Sequence, residues 1–126
     1  MPLVADPDPE AAAHRFIKHW FGLLAQNHWS EALFLLGEPT SYGQRWSKVQ
    51  IQDILNAYAK APVEVSEPDN SVGDPHWNLG HFVDGSGFWL DCNLPLNGAW
   101  SDLTAQFEFR KREDIYVVTL QDIHVL

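Results

Sequence analysis

His81 is the residue with the clearest potential for chemistry. It lies in the alternating stretch WNLGHFVDGSGFWLDC, where its side chain would share one strand face with apolar neighbours. An imidazole titrates near neutral pH and can act as a general base. Tyr58 on a predicted helix and Ser101 on a neighbouring strand could join it. A single histidine on an apolar face is more often a hydrogen-bonded core residue. The sequence therefore favours a buried, structural His81, with catalysis by these three residues as the alternative.

The second candidate is an acidic surface. The formal net charge is −9, and residues 61–109 contain eight acids and no Lys or Arg. Surplus charge often serves solubility alone. The sharper interpretation is a face that attracts a cationic partner, and a basic protein is the partner we expect. Nucleic-acid binding is not expected, because it needs a basic footprint.

Metal and cofactor chemistry have no matching pattern in this sequence. His76 and His81 are five apart, so on one strand they face opposite sides and cannot share a metal. There is no His-Glu-x-x-His segment and no pair of cysteines. The single cysteine, Cys92, falls in the apolar phase, where a free thiol behaves as a small hydrophobic group. We expect no metal and no cofactor, and the balance is against an enzyme.

The first half of the chain predicts three helices. Asp8 and Pro9 have the form of an N-cap and first helical residue, and Asn27 can end that helix in a left-handed conformation. A shorter helix follows from Trp29, and Ser47 with Gln50 forms a capping box for the third. The apolar positions predicted to face inward are Ala13, Phe16, Ile17, Trp20, Phe21, Leu24, Trp29, Ala32, Leu33, Leu36, Ile51, Ile54, Leu55 and Tyr58.

Residues 76–126 predict four antiparallel strands connected in sequence order. Turn signals are Gly85-Ser86, Asn97-Gly98 and the charged run 111–114. If the first two loops have two residues each, His81 pairs with Leu90, and Cys92 pairs with Leu79 and Leu103. A phase change predicts a bulge near Gln121 and Asp122 in the last strand. Residues 63–65 predict a short extra edge strand.

The outward phase of this sheet is polar, and it also carries the large aromatic residues Trp89 and Phe82. Asp91 would lie opposite Thr104, Asp102 opposite Asn93, and Phe82 opposite Trp89. Exposed aromatic side chains on a sheet often mark an interface. The predicted binding residues are Trp89, Asp91, Asp102, Glu108 and Phe82.

Length and composition predict one domain spanning residues 1–126. One cysteine favours a reducing compartment. The N-terminal MPLVADPDPE lacks the apolar core of a signal peptide, and no apolar run approaches the roughly 18 residues of a membrane span. We therefore expect a cytoplasmic protein that does not associate with membranes.

The order of elements, from AAAHRFIKHWFGLLAQNHWSEALFLL through YVVTLQDIHVL, resembles the nuclear-transport-factor-2-like superfamily, which has the cystatin-like fold. That resemblance implies three helices in the concavity of a bent sheet and dimerisation through the outer sheet face. Enzymes of the superfamily, such as ketosteroid isomerases and scytalone dehydratases, use Asp, His or Tyr groups between helices and sheet, yet the inward phase here carries no acid. The stretch LPLNGAWSDLTAQFEF with the terminal DIHVL is also similar to an uncharacterised bacterial domain family.

These features predict an α+β fold, with three N-terminal helices packed on a bent antiparallel sheet of four main strands. Two functions remain open. The favoured one is a non-catalytic intracellular binding domain, for example an immunity-type protein, that uses an acidic outer sheet face and dimerises or binds a partner there. The alternative is an isomerase- or dehydratase-like enzyme with an inward pocket around His81.

Overall fold

The computed structural model describes residues 8–126 together with the backbone of residues 3–4, and it confirms the α+β class. The helices are α1 (Pro9–Ala25), α2 (Trp29–Leu35) and α3 (Lys48–Ala59), followed by a 3-10 turn at Pro68–Asn70. The strands are β1 (Leu3–Val4), β2 (Trp77–His81), β3 (Gly87–Leu96), β4 (Ala99–Arg112) and β5 (Ile115–Val125). The sheet has the order β1-β5-β4-β3-β2, and neighbouring strands are antiparallel.

The helix ends follow the predicted capping chemistry. The Asp8 side chain accepts a hydrogen bond from the Ala11 N–H, and Pro9 is the first helical residue. Asn27 follows α1 with a φ of 62°, in the left-handed region. At α3 the Ser47 and Gln50 side chains each bond the other's backbone N–H, as a capping box requires.

The core lies between the helices and the inner face of the sheet. The Trp20 ring packs edge-on against Phe107 and donates its Nε1–H to the Ala32 carbonyl, which joins α1, β4 and α2. Phe16 packs edge-on against Phe109. Most of the predicted inward positions are buried, and Ile54, Leu33 and Tyr58 are half-buried at the margin of the core.

The register of the β2–β3 hairpin differs from the predicted one by two residues. His81 pairs with Phe88, because the loop holds four residues, 83–86, instead of two. Within it the Asp84 carboxylate accepts a hydrogen bond from the Ser86 N–H. The predicted cross-strand pair of Phe82 and Trp89 is wrong, and Gly80 lies opposite Trp89.

The β3–β4 hairpin begins as predicted and then shifts by two residues. Asn97 and Gly98 have φ values of 50° and 85°, as the predicted turn requires. Pairing shifts between Pro95 and Asn93, so that residues 101–103 bulge from β4. Three predicted β3–β4 pairs are therefore wrong: Cys92 is opposite Ala105, Asp91 is opposite Gln106, and Asn93 is opposite Thr104. The shift in the β2–β3 hairpin likewise places Trp77 opposite Cys92, where the sequence predicts Leu79. Because both shifts equal two residues, the strands keep their predicted inward faces.

Strand β5 contains the predicted bulge. Gln106 pairs with Asp122 and Phe107 with Leu120, which leaves Gln121 as the extra residue. The predicted extra strand at 63–65 is reduced to a single bridge between Val65 and Leu96. No helix in the described part of the chain combines the length and apolar character needed to cross a membrane.

Candidate functional site

The sheet face turned away from the helices carries two rows of polar side chains. The pairings align Asn78, Asp91, Gln106 and Asp122 across β2, β3, β4 and β5. The adjacent row consists of His76, Asn93, Thr104 and His124. Residues that pair directly across antiparallel strands share a face, so both rows lie on the outer surface.

A groove with a volume of about 720 Å³ runs over the end of these rows. Its lining contains three carboxylates, from Asp74, Asp91 and Asp102. No Lys or Arg belongs to the lining within the part of the chain that the structure describes. The remaining lining residues are His76, Trp77, Asn78, Asn93, Trp100, Ser101, Thr104 and Leu126.

Asp91 is the half-buried carboxylate of the groove. Burial raises the pKa of Asp91 above its usual range, because the charged form loses part of its hydration. A hydrogen bond from Gln106 and the nearby His124 act in the opposite direction and lower the pKa. The charged state of Asp91 is therefore only partly compensated by the protein.

The second carboxylate, Asp102, lies in the β4 bulge and is held from helix α3. The Tyr58 hydroxyl donates a hydrogen bond to Asp102 Oδ1, and this bond is the main reason why the pKa of Tyr58 is raised. The bulge itself is tied down by Ser101, whose hydroxyl donates to the Leu94 carbonyl at 2.8 Å and accepts from the Leu103 N–H at 3.2 Å. Asp102 thus has a fixed position at the groove.

Hydrogen bonds between neighbouring strands also order the groove floor. Asn93 Oδ1 accepts from the His76 N–H at 2.8 Å, and Asn93 Nδ2 donates to Thr104 Oγ1 at 3.1 Å. Thr104 is only 5% exposed. These contacts connect β3 and β4 with the residue that precedes β2, so the polar row is part of the folded structure.

Comparison with known proteins places this site within a family. The family model described as "Domain of unknown function (DUF7668)" matches residues 33–126. The chain belongs to the DUF7668 family. Every residue that lines the groove falls inside the matched range, whereas helix α1 lies before it. No curated protein and no solved structure gives a significant match.

Sequence reasoning missed one acid–histidine pair on the outer face of this DUF7668 chain. His124 Nδ1 lies 3.0 Å from Asp122 Oδ2, beside the groove residue Thr104. The signal was available, because the predicted bulge at Gln121 moves Asp122 and His124 into the outward phase. No group of three or more His, Cys, Asp or Glu among the described residues is arranged to hold a metal ion.

The five predicted binding residues divide into two groups. Asp91 and Asp102 line the groove, whereas Trp89, Glu108 and Phe82 are not among its lining residues. Arg110, one residue beyond the cation-free interval, lies 3.0 Å from Glu108 Oε1 and places its guanidinium 3.8 Å from the Phe82 ring centroid. Glu108 is therefore paired and Phe82 is covered by a cation, which the sequence prediction did not anticipate.

The prediction that His81 is buried is wrong. The His81 side chain is 63% exposed, and its Nε2 lies 2.7 Å from Glu10 Oε1 at the start of α1. The other two residues of the catalytic alternative, Tyr58 and Ser101, lie instead at Asp102. The structure does not bring the three together, because the two-residue shift and the edge position of β2 leave His81 at the margin of the sheet.

Cys92 is buried, as the sequence predicts. Its residue exposure is 0%, and burial raises the pKa of the thiol far above its usual value. A thiol that stays protonated inside a core is neither a ready nucleophile nor a metal ligand. Cys92 therefore contributes packing to this DUF7668 chain.

Proposed function

We propose that this DUF7668 chain is a non-catalytic binding domain whose outer sheet face takes a cationic segment of a protein partner. The observation that carries the proposal is the groove with three carboxylates and no Lys or Arg in its described lining. Opposite charges across an interface speed encounter and select against partners of the wrong sign.

Asp91 supplies part of the binding energy in this proposal. Its charged form is disfavoured by burial in the free protein. A Lys or Arg side chain that enters the groove favours the charged form, because an opposite charge within a few ångströms stabilises a carboxylate. We therefore expect partner binding to lower the pKa of Asp91 and to release the proton from whatever fraction of Asp91 is protonated.

Asp102 supplies a fixed acceptor. The Tyr58 hydroxyl already occupies one of its oxygens, and the bulge around Ser101 fixes its backbone. A carboxylate that is held before binding loses little conformational freedom on binding, which favours affinity. This arrangement supports recognition of a cation at a defined position.

We propose a cytoplasmic location, which a single free cysteine supports. The concrete version of the function that we propose is an immunity-type protein that neutralises a basic protein. The order of helices before the sheet supports a place in the nuclear-transport-factor-2-like superfamily, whose members commonly dimerise through this face. A second copy is thus the other occupant to consider. It would bring the same carboxylates face to face, which favours a basic partner over a homodimer.

A charge-reversal experiment tests the proposal. The probe is the peptide acetyl-Thr-Lys-Val-Lys-Val-Lys-Thr-amide, titrated by calorimetry at low salt and at about 0.15 M salt, where the screening length is about 8 Å. We expect binding that weakens with salt and that is lost in Asp91→Lys with Asp102→Lys. The matched control is Asp53→Lys with Glu113→Lys, two exposed acids outside the groove.

The control pair has the same net charge as the groove variant, so only position differs between them. Retained binding in the control together with loss in the groove variant supports the proposal. Equal affinity in wild type and groove variant, with both folded, would show that the acids serve only solubility. Sedimentation of the free protein measures the dimer, which the proposal expects to be weak.

A further inference from the structure

The two edges of the sheet differ in how many of their backbone groups are hydrogen-bonded by other parts of the chain. Along β5, strand β1 pairs at one end, the Gly37 N–H donates to the Val118 carbonyl, and the Trp46 indole donates to the Leu120 carbonyl. At the opposite edge, β2 pairs with β3 on one side only. Within the described residues, no backbone group hydrogen-bonds to the backbone of β2 from its other side.

The alternation of hydrogen bonds between β2 and β3 shows which backbone N–H and C=O groups of β2 have no partner in β3. Phe82 bonds to Gly87 and His76 bonds to Asn93 through their backbones. Bonded and non-bonded pairs alternate in an antiparallel ladder, so the even-numbered residues of β2 bond to β3. The N–H and C=O groups of Trp77, Leu79 and His81 therefore point away from the sheet.

We propose that the partner segment adds to the sheet as an antiparallel strand along β2, with Lys or Arg at every second position. This inference rests on the proposed function and names its binding mode. Backbone bonds to the edge would supply affinity, and the alternating side chains would supply specificity.

The side-chain phase defines the chemistry of that strand. Partner residues opposite His76 and Asn78 project onto the outer face, next to the groove. Neighbouring strands are about 4.8 Å apart, so a long cationic side chain reaches across Asn78 toward Asp91. Partner residues opposite Trp77 and Leu79 project to the inner side, where both of these residues are half-buried. An alternating cationic and apolar segment fits both sides.

The edge lacks several common defences against added strands. Lys, Pro and bulges discourage edge pairing in natural sheets, and Trp77–His81 contains none of them. A second copy paired edge to edge would bring together two chains that each have a formal net charge of −9, and like charges oppose such an association. The charges therefore favour a basic segment over self-association.

Backbone methylation of the probe peptide tests this mode directly. In antiparallel pairing, the Val N–H groups of acetyl-Thr-Lys-Val-Lys-Val-Lys-Thr-amide face β2 and the Lys N–H groups face solvent. N-methylation of both Val residues should weaken binding by about tenfold or more, since two backbone bonds are lost. N-methylation of two Lys residues is the matched control and should leave the affinity within about threefold, because those N–H groups make no bond.

Amide exchange gives a second readout on the intact protein. The unmodified peptide should slow exchange at Trp77, Leu79 and His81, and the Val-methylated peptide should not. One outcome is that all three peptides bind wild type equally and that none binds the Asp91→Lys, Asp102→Lys variant. The groove would then bind cations without strand pairing, so this inference would be overturned while the proposed function stands. Stronger loss from Lys methylation overturns antiparallel pairing, and no binding by any peptide overturns both.

Discussion

The β5 edge and the β2 edge of the sheet differ in whether another chain segment packs against their backbone. At β5, the connection between α2 and α3 approaches closely enough for Gly37 to bond to Val118. A Cβ at Gly37 would lie 2.6 Å from Val117 Cγ1, so this approach needs a glycine. At β2, Gly80 allows the Trp89 ring to lie against the backbone, because a methyl group there would overlap that ring. Chain segments cover the β5 edge, whereas at β2 the Trp89 ring covers only the outer face of Gly80 and leaves the backbone groups of the edge open.

This difference assigns a stabilising role to the β5 edge, whereas the β2 edge is where we propose that a partner binds. The β5 edge forms backbone and indole hydrogen bonds that anchor residues 37–46 to the sheet. At β2, the ring of Trp89 lies on the outer face of Gly80, and the acidic groove begins beside Asn78. The N–H and C=O groups on the outer side of β2 have no strand partner, which is what the proposed strand addition requires.

The largest effect on stability is expected from removing the Trp46 side chain, which packs along β5. Trp46→Ala deletes a half-buried indole and its bond to the Leu120 carbonyl, so we expect a loss of about 2–4 kcal/mol in the free energy of unfolding. Chemical denaturation measures it. Trp46→Phe keeps most of the ring but loses the indole hydrogen bond, so it should cost only about 1 kcal/mol. Tyr42→Ala, at a side chain that is 93% exposed, should change nothing measurable.

A small loss in Trp46→Ala, comparable to that of Tyr42→Ala, would contradict the assignment of stability to this edge. Amide exchange refines the result. The alanine variant should exchange faster at residues 118–120 and remain unchanged in β2, since the two edges are separated by β3 and β4.

The sequence predicts the fold better than it predicts the site, and particular residues show why. The helix cap at Ser47 and the buried position of Trp20 depend on residues a few positions away in the sequence, so both can be predicted from the sequence alone. The two hairpin registers depend on side-chain bonds of Asp84 and Ser101, which lengthen a loop and bulge a strand. Each register shift is an even number of residues, so the side chains keep their predicted faces of the sheet. The cross-strand neighbours of the site residues nevertheless change.

Long-range pairing explains the remaining errors at the site. Arg110 lies just outside the cation-free interval in sequence, yet it reaches back to Glu108 and Phe82. Tyr58 meets Asp102 although 44 residues separate them. Such contacts follow from how α3 and β4 pack, and periodicity within either element does not encode them.

The next largest effect tests the contact between the Trp89 ring and Gly80 on the outer face of β2. Gly80→Ala should cost about 1–2 kcal/mol, because its methyl group forces the Trp89 ring to move. The control is the same substitution in a Trp89→Ala background, where the methyl group meets no ring and should cost little. Thermal unfolding of the four proteins gives the coupling. Equal costs in both backgrounds would show that Trp89 does not cover Gly80.

A smaller effect with a defined pH dependence is expected at Asp91. Because burial raises its pKa in the folded state, the folded protein binds this proton more tightly than the unfolded chain. The contribution of Asp91 to stability therefore falls as pH rises from the unfolded pKa through the folded one. Asp91→Asn should equal or exceed wild type in stability at neutral pH, and this advantage should disappear below the unfolded pKa, near 3.8.

Urea unfolding across that pH range measures the Asp91 effect. Asp114→Asn is a suitable control, because Asp114 is an exposed acid in a turn outside the groove and should show no comparable trend. If Asp91→Asn is less stable at neutral pH, and the deficit vanishes in acid, the carboxylate is stabilised in the fold and the desolvation argument is wrong.

The smallest effect is expected at His81, the exposed end of the open edge. Its imidazole contacts Glu10 at 2.7 Å, but the two side chains are 63% and 47% exposed, so solvent screens the pair. Exposed pairs of this kind contribute little, and His81→Gln should change the free energy of unfolding by no more than about 0.5 kcal/mol. Glu10→Gln and the double variant complete a cycle whose coupling should fall further when salt is added. A loss above about 1 kcal/mol in His81→Gln that persists at high salt would mean that this histidine is structurally essential, and that the edge is less open than its exposure indicates.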